Sequence, residues 1–186
     1  MDEWRKARER ALGRLREHAS KGLVDHDIVE FLLEFNVKPC LFTTSSCSGR
    51  VAIIEGSDPF DKKGARLVEV WHDPGECRAR IREYCGYRPR EDRIAWASLQ
   101  PPILHVAAVD ERVARDLVAC GGRAGFARAC YKPYRAGGYI VELAGQDKTH
   151  VILPAPCGLL ERLCDILEEY KGKLGRLEEC LLTVEC

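Results

Sequence analysis

The chain has 186 residues, the length of one domain or of two small halves sharing a core, and it can bury a sizeable core without needing disulfides. Lys+Arg and Asp+Glu each number 29, so the formal net charge is zero, which counts against nonspecific nucleic-acid binding but leaves room for a local basic face. No apolar run reaches membrane-spanning length and the N-terminus, MDEWRKARER, lacks a signal-peptide pattern, so a cytoplasmic protein is expected.

A first helix is predicted over 2–20, with Trp4, Ala7, Ala11, Leu15 and Ala19 on one face. Its other face carries Arg5, Lys6, Arg8, Arg10, Arg14 and Arg16, diluted by acids, and reads as solvated. Ser20-Lys21-Gly22 breaks it, and Asp25 is positioned to cap a second helix with the stripe Ile28, Val29, Leu32, Phe35. Strands are expected over 40–42, 51–54 and 67–71. The polar stretch 58–66 is a surface loop or a lid. Asp73-Pro74-Gly75 opens a helix running to about Tyr84. Strands over 93–99 and 103–109 are joined through Gln100-Pro101-Pro102. A helix over 111–120 ends at Gly121-Gly122 as its cap. Strands follow over 126–131, 138–143 and 149–153, then a helix from Pro156 to about Tyr170, with 177–186 as a short helix or edge strand.

Strand runs broken by single helices indicate an α+β fold, with a mixed, mostly antiparallel sheet and flanking helices. The halves 1–92 and 93–186 each carry a glycine-bearing loop, Ser48-Gly49-Arg50 and Arg135-Ala136-Gly137-Gly138, so a single domain with an internal duplication is expected. The ten Cys form no C-x-x-C pair, which excludes a zinc ribbon or thioredoxin-like motif, and most read as buried apolar thiols. Asn occurs once and Gln twice, a depletion seen in hyperthermophiles, whose intracellular disulfides leave oxidation of some pairs open.

The chemically distinctive stretch is Thr43-Thr44-Ser45-Ser46-Cys47-Ser48-Gly49-Arg50. It reads as a polar loop between two strands, in which Gly49 supplies positive φ and converging N–H groups form an anion nest beside Arg50. The alternative is a hairpin tip held by Ser/Thr turn bonds. TTSSCSGRV, the preceding SKGLVDHDIVEFLLEFN, Trp71-His72, ILHVAAVD and Gly125-Phe126 together resemble the tRNA wybutosine-synthesising protein 3 family, over about Ser20 to Pro154. The resemblance implies an archaeal S-adenosylmethionine-dependent methyltransferase. Its target would be N4 of a tricyclic guanosine derivative at position 37 of tRNA-Phe, in the anticodon loop. No dinucleotide fingerprint is present, since Gly121-Gly122-Arg123-Ala124-Gly125 follows a helix and precedes a strand, so a Rossmann methyltransferase fold is not expected.

Granted the resemblance, the attacking atom belongs to the base, so Cys47 is not needed as a nucleophile. The site must align the reacting atoms and accept a proton. His105 is the first candidate base, on the face of its strand shared with Ile103 and Ala107, and His72 the second. Thr44, Ser45, Ser46, Ser48, Gly49 and Arg50 would hold the cofactor's methionine carboxylate or a tRNA phosphate. Trp71 would stack on adenine or on the target base, or fill the core. Arg78, Arg82, Arg88 and Arg90, interleaved with Tyr84 and Tyr87, would contact RNA, unless Glu83, Glu91 and Asp92 make them a salt-bridged surface. His18, His26 and His150 read as surface residues, and no metal is expected. Two rivals remain: a non-catalytic RNA-binding protein, which would tolerate His105→Ala, and a cysteine-based redox or metal protein, which would show bound metal or a reactive Cys47 thiol.

Overall fold

The elements follow the predicted order. A computed structural model describes residues 2–59, 63–90, 92–146 and 148–186; the proposed lid at 58–66 falls partly outside them. The helices are α1 (Asp2–Ser20), α2 (Val29–Phe35), α3 (Pro74–Arg80, continued by a 3-10 turn Ile81–Tyr84), α4 (Glu111–Ala124) and α5 (Cys157–Leu182). The strands are β1 (Leu41–Cys47), β2 (Arg50–Gly56), β3 (Arg66–Trp71), β4 (Ile94–Gln100), β5 (Ile103–Ala108), β6 (Arg128–Pro133), β7 (Tyr139–Ala144) and β8 (Thr149–Leu153).

The strands form two four-stranded sheets, ordered β1-β5-β7-β6 and β3-β2-β4-β8, rather than one. Every pairing is antiparallel, so this α+β protein has no doubly wound parallel sheet. The chain divides into two interleaved units. The first is Met1–Ser48, Pro102–Gln146 and Gly172–Cys186; the second is Gly49–Pro101 and Asp147–Lys171. These boundaries do not follow a split into 1–92 and 93–186, because β1 and β2, consecutive in the chain, belong to different sheets, as do β4 and β5.

In the first unit the alternation of side chains along a strand gives the sheet two apolar faces. Leu41, Val106, Val141 and Leu143 pack with α2, α4 and the end of α5 through Leu32, Phe35, Leu117, Leu177 and Leu181. On the opposite face Phe42 and Ala107 pack under Ala7 and Ala11 of α1, with Trp4, Tyr134 and Ile140 around them. In the second unit Val51, Ile53 and Leu99 pack with Ile81 and with Leu160, Leu163, Leu167 and Tyr170 of α5.

Several expectations are corrected. Residues 43–47 are strand, not loop, and Ser48-Gly49 is a bend between sheets rather than a hairpin tip, although Gly49 has the expected positive φ of 86°. Asp25 does not cap α2, whose N-cap is Ile28; its carboxylate instead accepts from Ser48 N at 2.7 Å. Gly121 and Gly122 lie inside α4, which is capped by Gly125 in the left-handed region. A Cβ on Gly121 would stand 2.8 Å from Leu143 Cδ2 and 2.9 Å from Ala129 Cβ, so this glycine serves close helix–sheet approach. The tail is no separate element: α5 runs unbroken to Leu182.

Most cysteines are not free thiols. Eight of the ten pair as Cys40–Cys186, Cys77–Cys164, Cys85–Cys157 and Cys120–Cys180, leaving Cys47 and Cys130. The partners lie 60 to 146 residues apart, which is why spacing along the chain did not reveal them. Among the described residues no helix is long and apolar enough to cross a membrane.

Candidate active site

The site is built on the first sheet by a local irregularity. The register of β1 against β5 pairs Thr43 with Val106 and then Ser45 with His105, so Thr44 is an extra, bulged residue. A bulge shifts every later side chain by one position. Without it, Thr44 would oppose His105. The strand before the bulge is anchored by Asn36, whose Nδ2 donates to Leu32 O at 2.7 Å and to Thr43 Oγ1 at 2.8 Å, while its Oδ1 accepts from Thr43 N at 2.8 Å. That accounts for a buried Asn in an otherwise apolar core.

His105 is held from both sides. Ser45 Oγ lies 2.6 Å from Nδ1, and Glu142 Oε2 of β7, directly across the strand pair, lies 3.2 Å from Nε2. A carboxylate only accepts, so Glu142 selects the tautomer with hydrogen on Nε2 and leaves the Nδ1 lone pair facing the Ser45 hydroxyl. Arg128 Nη2 stands 3.7 Å from the other Glu142 oxygen. Thr44 Oγ1 donates to His105 O at 3.4 Å, tying the bulge to the same residue. The arrangement can take a proton at Ser45 Oγ while Nδ1 receives the serine proton, with Glu142 stabilising the resulting imidazolium.

Two cavities flank this cluster. The larger, about 580 Å³, is lined by His105, Glu142, Thr44, Cys130, Ile140 and the β6–β7 tip from Tyr131 to Arg135, with Arg14 of α1. The smaller, about 270 Å³, is lined by residues 43–46 and by Ala11, Arg14, Leu15, His18, Leu23 and Val24. Thr44 and Arg14 line both. The hydroxyls of Thr44 and Ser46, which line the smaller cavity with Arg14, make with its guanidinium a donor set that fits a carboxylate.

The structure thus brings together His105, Thr44, Ser45 and Ser46. Ser48 is wholly buried. Gly49, Arg50, Trp71 and His72 belong to the second unit and line neither cavity. Gly49 O accepts from Lys171 Nζ at 3.2 Å, and Arg50 Nε donates to Gln100 Oε1 at 3.0 Å. Trp71 is a core residue, 2 % exposed and edge-on to Tyr84 at 5.7 Å.

Of the arginines expected to meet RNA, Arg78 pairs with Asp165 and Glu168 of α5, and Arg82 with Glu161. The acids that engage them lie about 80 residues away and were not the nearby ones expected. Arg88 and Arg90 are exposed, and Glu91 lies outside the described residues. Sequence reasoning missed Glu142, Arg14, Lys132 and Arg135; His18, read as a surface residue, is exposed and lines the smaller cavity. Glu142 left a signal, as the one charge inside the apolar run Tyr139-Ile140-Val141-Glu142-Leu143.

Known proteins resemble this chain in sequence and in fold. A family model described as Methyltransferase TYW3 matches residues 6–179. A protein of Archaeoglobus fulgidus named tRNA(Phe) 7-((3-amino-3-carboxypropyl)-4-demethylwyosine(37)-N(4))-methyltransferase is 30% identical, over 98% of this chain and 95% of its own length. A Thermococcus kodakarensis protein of the same name, numbered 2, is 33% identical over 94% of this chain and 85% of its own. The solved structure of the PH1069 protein from Pyrococcus horikoshii superimposes with a TM-score of 0.81 at 29% identity, covering 97% of this chain and 96% of that one. With a family match running through both units, the chain belongs to the Methyltransferase TYW3 family.

Proposed function

We propose that this protein transfers a methyl group from S-adenosylmethionine to N4 of the tricyclic wyosine or wybutosine precursor, a 7-(3-amino-3-carboxypropyl)-4-demethylwyosine in the relatives' names, at position 37 of tRNA(Phe), reached in the anticodon loop in the cytoplasm. The reading is supported by the family match and by relatives named for that reaction. The observation that carries it is the Ser45–His105–Glu142 chain at 2.6 and 3.2 Å, set where two cavities share Thr44 and Arg14.

The residues present fit the cofactor: Thr44, Ser46 and Arg14 at the smaller cavity would hold its carboxylate. When bound, S-adenosylmethionine supplies an electrophilic methyl carbon. The larger cavity, with Ile140, Pro133 and Tyr134 on its walls, is the one suited to a planar base, since an extruded base needs apolar and aromatic surface on its faces. The base nitrogen that gains a methyl group loses a proton. Ser45 Oγ receives it as His105 Nδ1 takes the serine proton, and the Glu142 carboxylate keeps the ring in that orientation throughout.

The test is methyl transfer to tRNA(Phe) bearing the unmethylated tricyclic base, read by mass spectrometry of the nucleosides. Wild-type protein should add one methyl group. His105→Ala should lower kcat by roughly 10²- to 10⁴-fold, the range for losing a general base, and His72→Ala should leave it within twofold of wild type, on the order of the scatter of such assays. Absence of transfer by the wild-type chain, with tRNA still bound, would overturn the reading. Full activity of His105→Ala would remove His105 from the reaction.

A further inference from the structure

We propose that Arg14, Lys132 and Arg135 form the clamp that grips the RNA backbone at the mouth of the larger cavity. The inference rests on the function proposed above and assigns the RNA contact to residues other than the arginine-rich stretch 78–93. All three side chains line the cavity that holds His105 and Glu142, and all three are exposed. Among the described residues none of them is ion-paired, whereas Arg78, Arg80, Arg82, Arg112, Arg115 and Arg162 each face a carboxylate; Arg88 and Arg90 are also exposed and unpaired but do not line the His105 cavity. Arg10 lines a neighbouring groove with Arg135, shared with Glu3 and with Lys6, which pairs with Asp2.

Three cations line this cavity with a single carboxylate, Glu142, which His105 and Arg128 already engage, so the surplus positive charge suits an arriving anion. Here the anion is fixed by the chemistry of the site. A nucleotide whose base enters a cavity brings its two flanking phosphates to the mouth. Arg forks match phosphate geometry, and Tyr134 among them offers a ring for a neighbouring base.

The cations are also held in place. Arg135 sits on the β6–β7 tip, closed by Tyr134 N to Gly138 O and Gly137 N to Tyr134 O, both 3.0 Å. Gly138, at φ 71°, lies so close to β5 that a Cβ would come within 2.2 Å of Ala108 O. The tip is thereby packed onto the strand that carries His105.

The experiment measures tRNA(Phe) affinity across a salt series for the wild-type chain and for Arg14→Glu, Lys132→Glu and Arg135→Glu, with Arg78→Glu as a comparison. S-adenosylmethionine affinity is read in parallel by calorimetry. Each cavity variant should weaken tRNA binding and lower the slope of log K against log salt by about 0.7 per lost phosphate contact. Arg14→Lys should keep most of the slope, Arg78→Glu all of it, and Lys132→Glu and Arg135→Glu, which line the larger cavity alone, should leave cofactor affinity unmoved. An unchanged slope in all three variants, in a wild type that binds and methylates tRNA, overturns the inference alone. Loss of cofactor affinity in Lys132→Glu and Arg135→Glu with tRNA binding intact also overturns it, by assigning these cations to the methyl donor. A wild-type chain that binds no tRNA(Phe) removes the functional reading beneath it.

Discussion

The second unit neutralises most of its arginines internally, Arg88 and Arg90 excepted among the described residues: Arg78, Arg80 and Arg82 reach Asp165, Glu168, Glu69 and Glu161, and Arg66 and Arg93 flank the buried Glu55. The first unit pairs its cations on the outer face of α4, where Arg112 and Arg115 meet Asp116 and Glu111, but Arg14, Lys132 and Arg135 share the His105 cavity with one carboxylate, Glu142, and among the described residues form no ion pair. The comparison separates two uses of the same residue type. An arginine count along the sequence measures neither. What distinguishes a binding surface is cation density left over after the chain's own carboxylates are satisfied, and that depends on which helix packs over which strand.

Each unit carries two disulfides, so reduction probes how far each depends on them. Thiol titration in denaturant without reductant should count two thiols per chain, Cys47 and Cys130, against ten after reduction. A count of ten in both conditions would refute the pairing. In the chain-entropy account, long closed loops restrict the unfolded state most. Cys40→Ser with Cys186→Ser in the first unit, and Cys85→Ser with Cys157→Ser in the second, should therefore each cost about 2–5 kcal/mol in denaturant melts.

How much of this was legible in the sequence depended on whether the signal was local. The stripe of α1 and the strand β8 could be read because their information lies within a few residues: Ala7 and Ala11 are buried as helical spacing requires. The last helix is expected from sequence to end near Tyr170, yet Leu174, Leu177 and Leu181 continue the spacing of Leu160, Leu163 and Leu167, and α5 runs through Gly172 and Gly175. The Ser/Thr-rich stretch drew attention as a loop, but its chemistry depends on a bulge that fixes which hydroxyl meets His105. Glu142 comes to His105 only through the β5–β7 register, and Arg14 to the cavity only because α1 packs on β1. Such long-range pairings have no counterpart in spacing along the chain.

A smaller effect separates the units at the two ends of α5, which begins in the second and ends in the first. Lys38 Nζ donates to Leu181 O, Leu182 O and Val184 O at 3.4, 2.7 and 2.5 Å, satisfying carbonyls that have no partner within the helix. Burial pulls its pKa below the usual lysine value, against the pull of Glu185 and Glu34. Lys38→Met keeps the stem and removes the donors, and should cost about 1–3 kcal/mol. Hydrogen exchange should place the loss in amides near 177–184 and leave those near 157–170 protected. Equal loosening at both ends would mean the helix responds as one cooperative element.

The smallest effects come from two tyrosine–carboxylate pairs, one in each unit, which should respond at opposite ends of the pH scale. In the first unit Tyr131 Oη donates to Glu111 Oε1 at 2.8 Å, and this bond, together with Arg115, holds the Glu111 carboxyl below its ordinary 4.5. A depressed carboxyl contributes stability that is present above pH 4.5 and lost as pH falls through the folded value. In the second unit Tyr87 donates to Glu55, and that bond, followed by burial, raises the phenol above its ordinary 10.0. A raised phenol contributes stability that is full below pH 10.0 and lost as pH climbs through the folded value. Tyr131→Phe should therefore flatten the acid limb of a melting-temperature profile and leave the alkaline limb unchanged, while Tyr87→Phe should do the reverse. If either variant shifted both limbs together, the pairs would not be independent reporters of the two units.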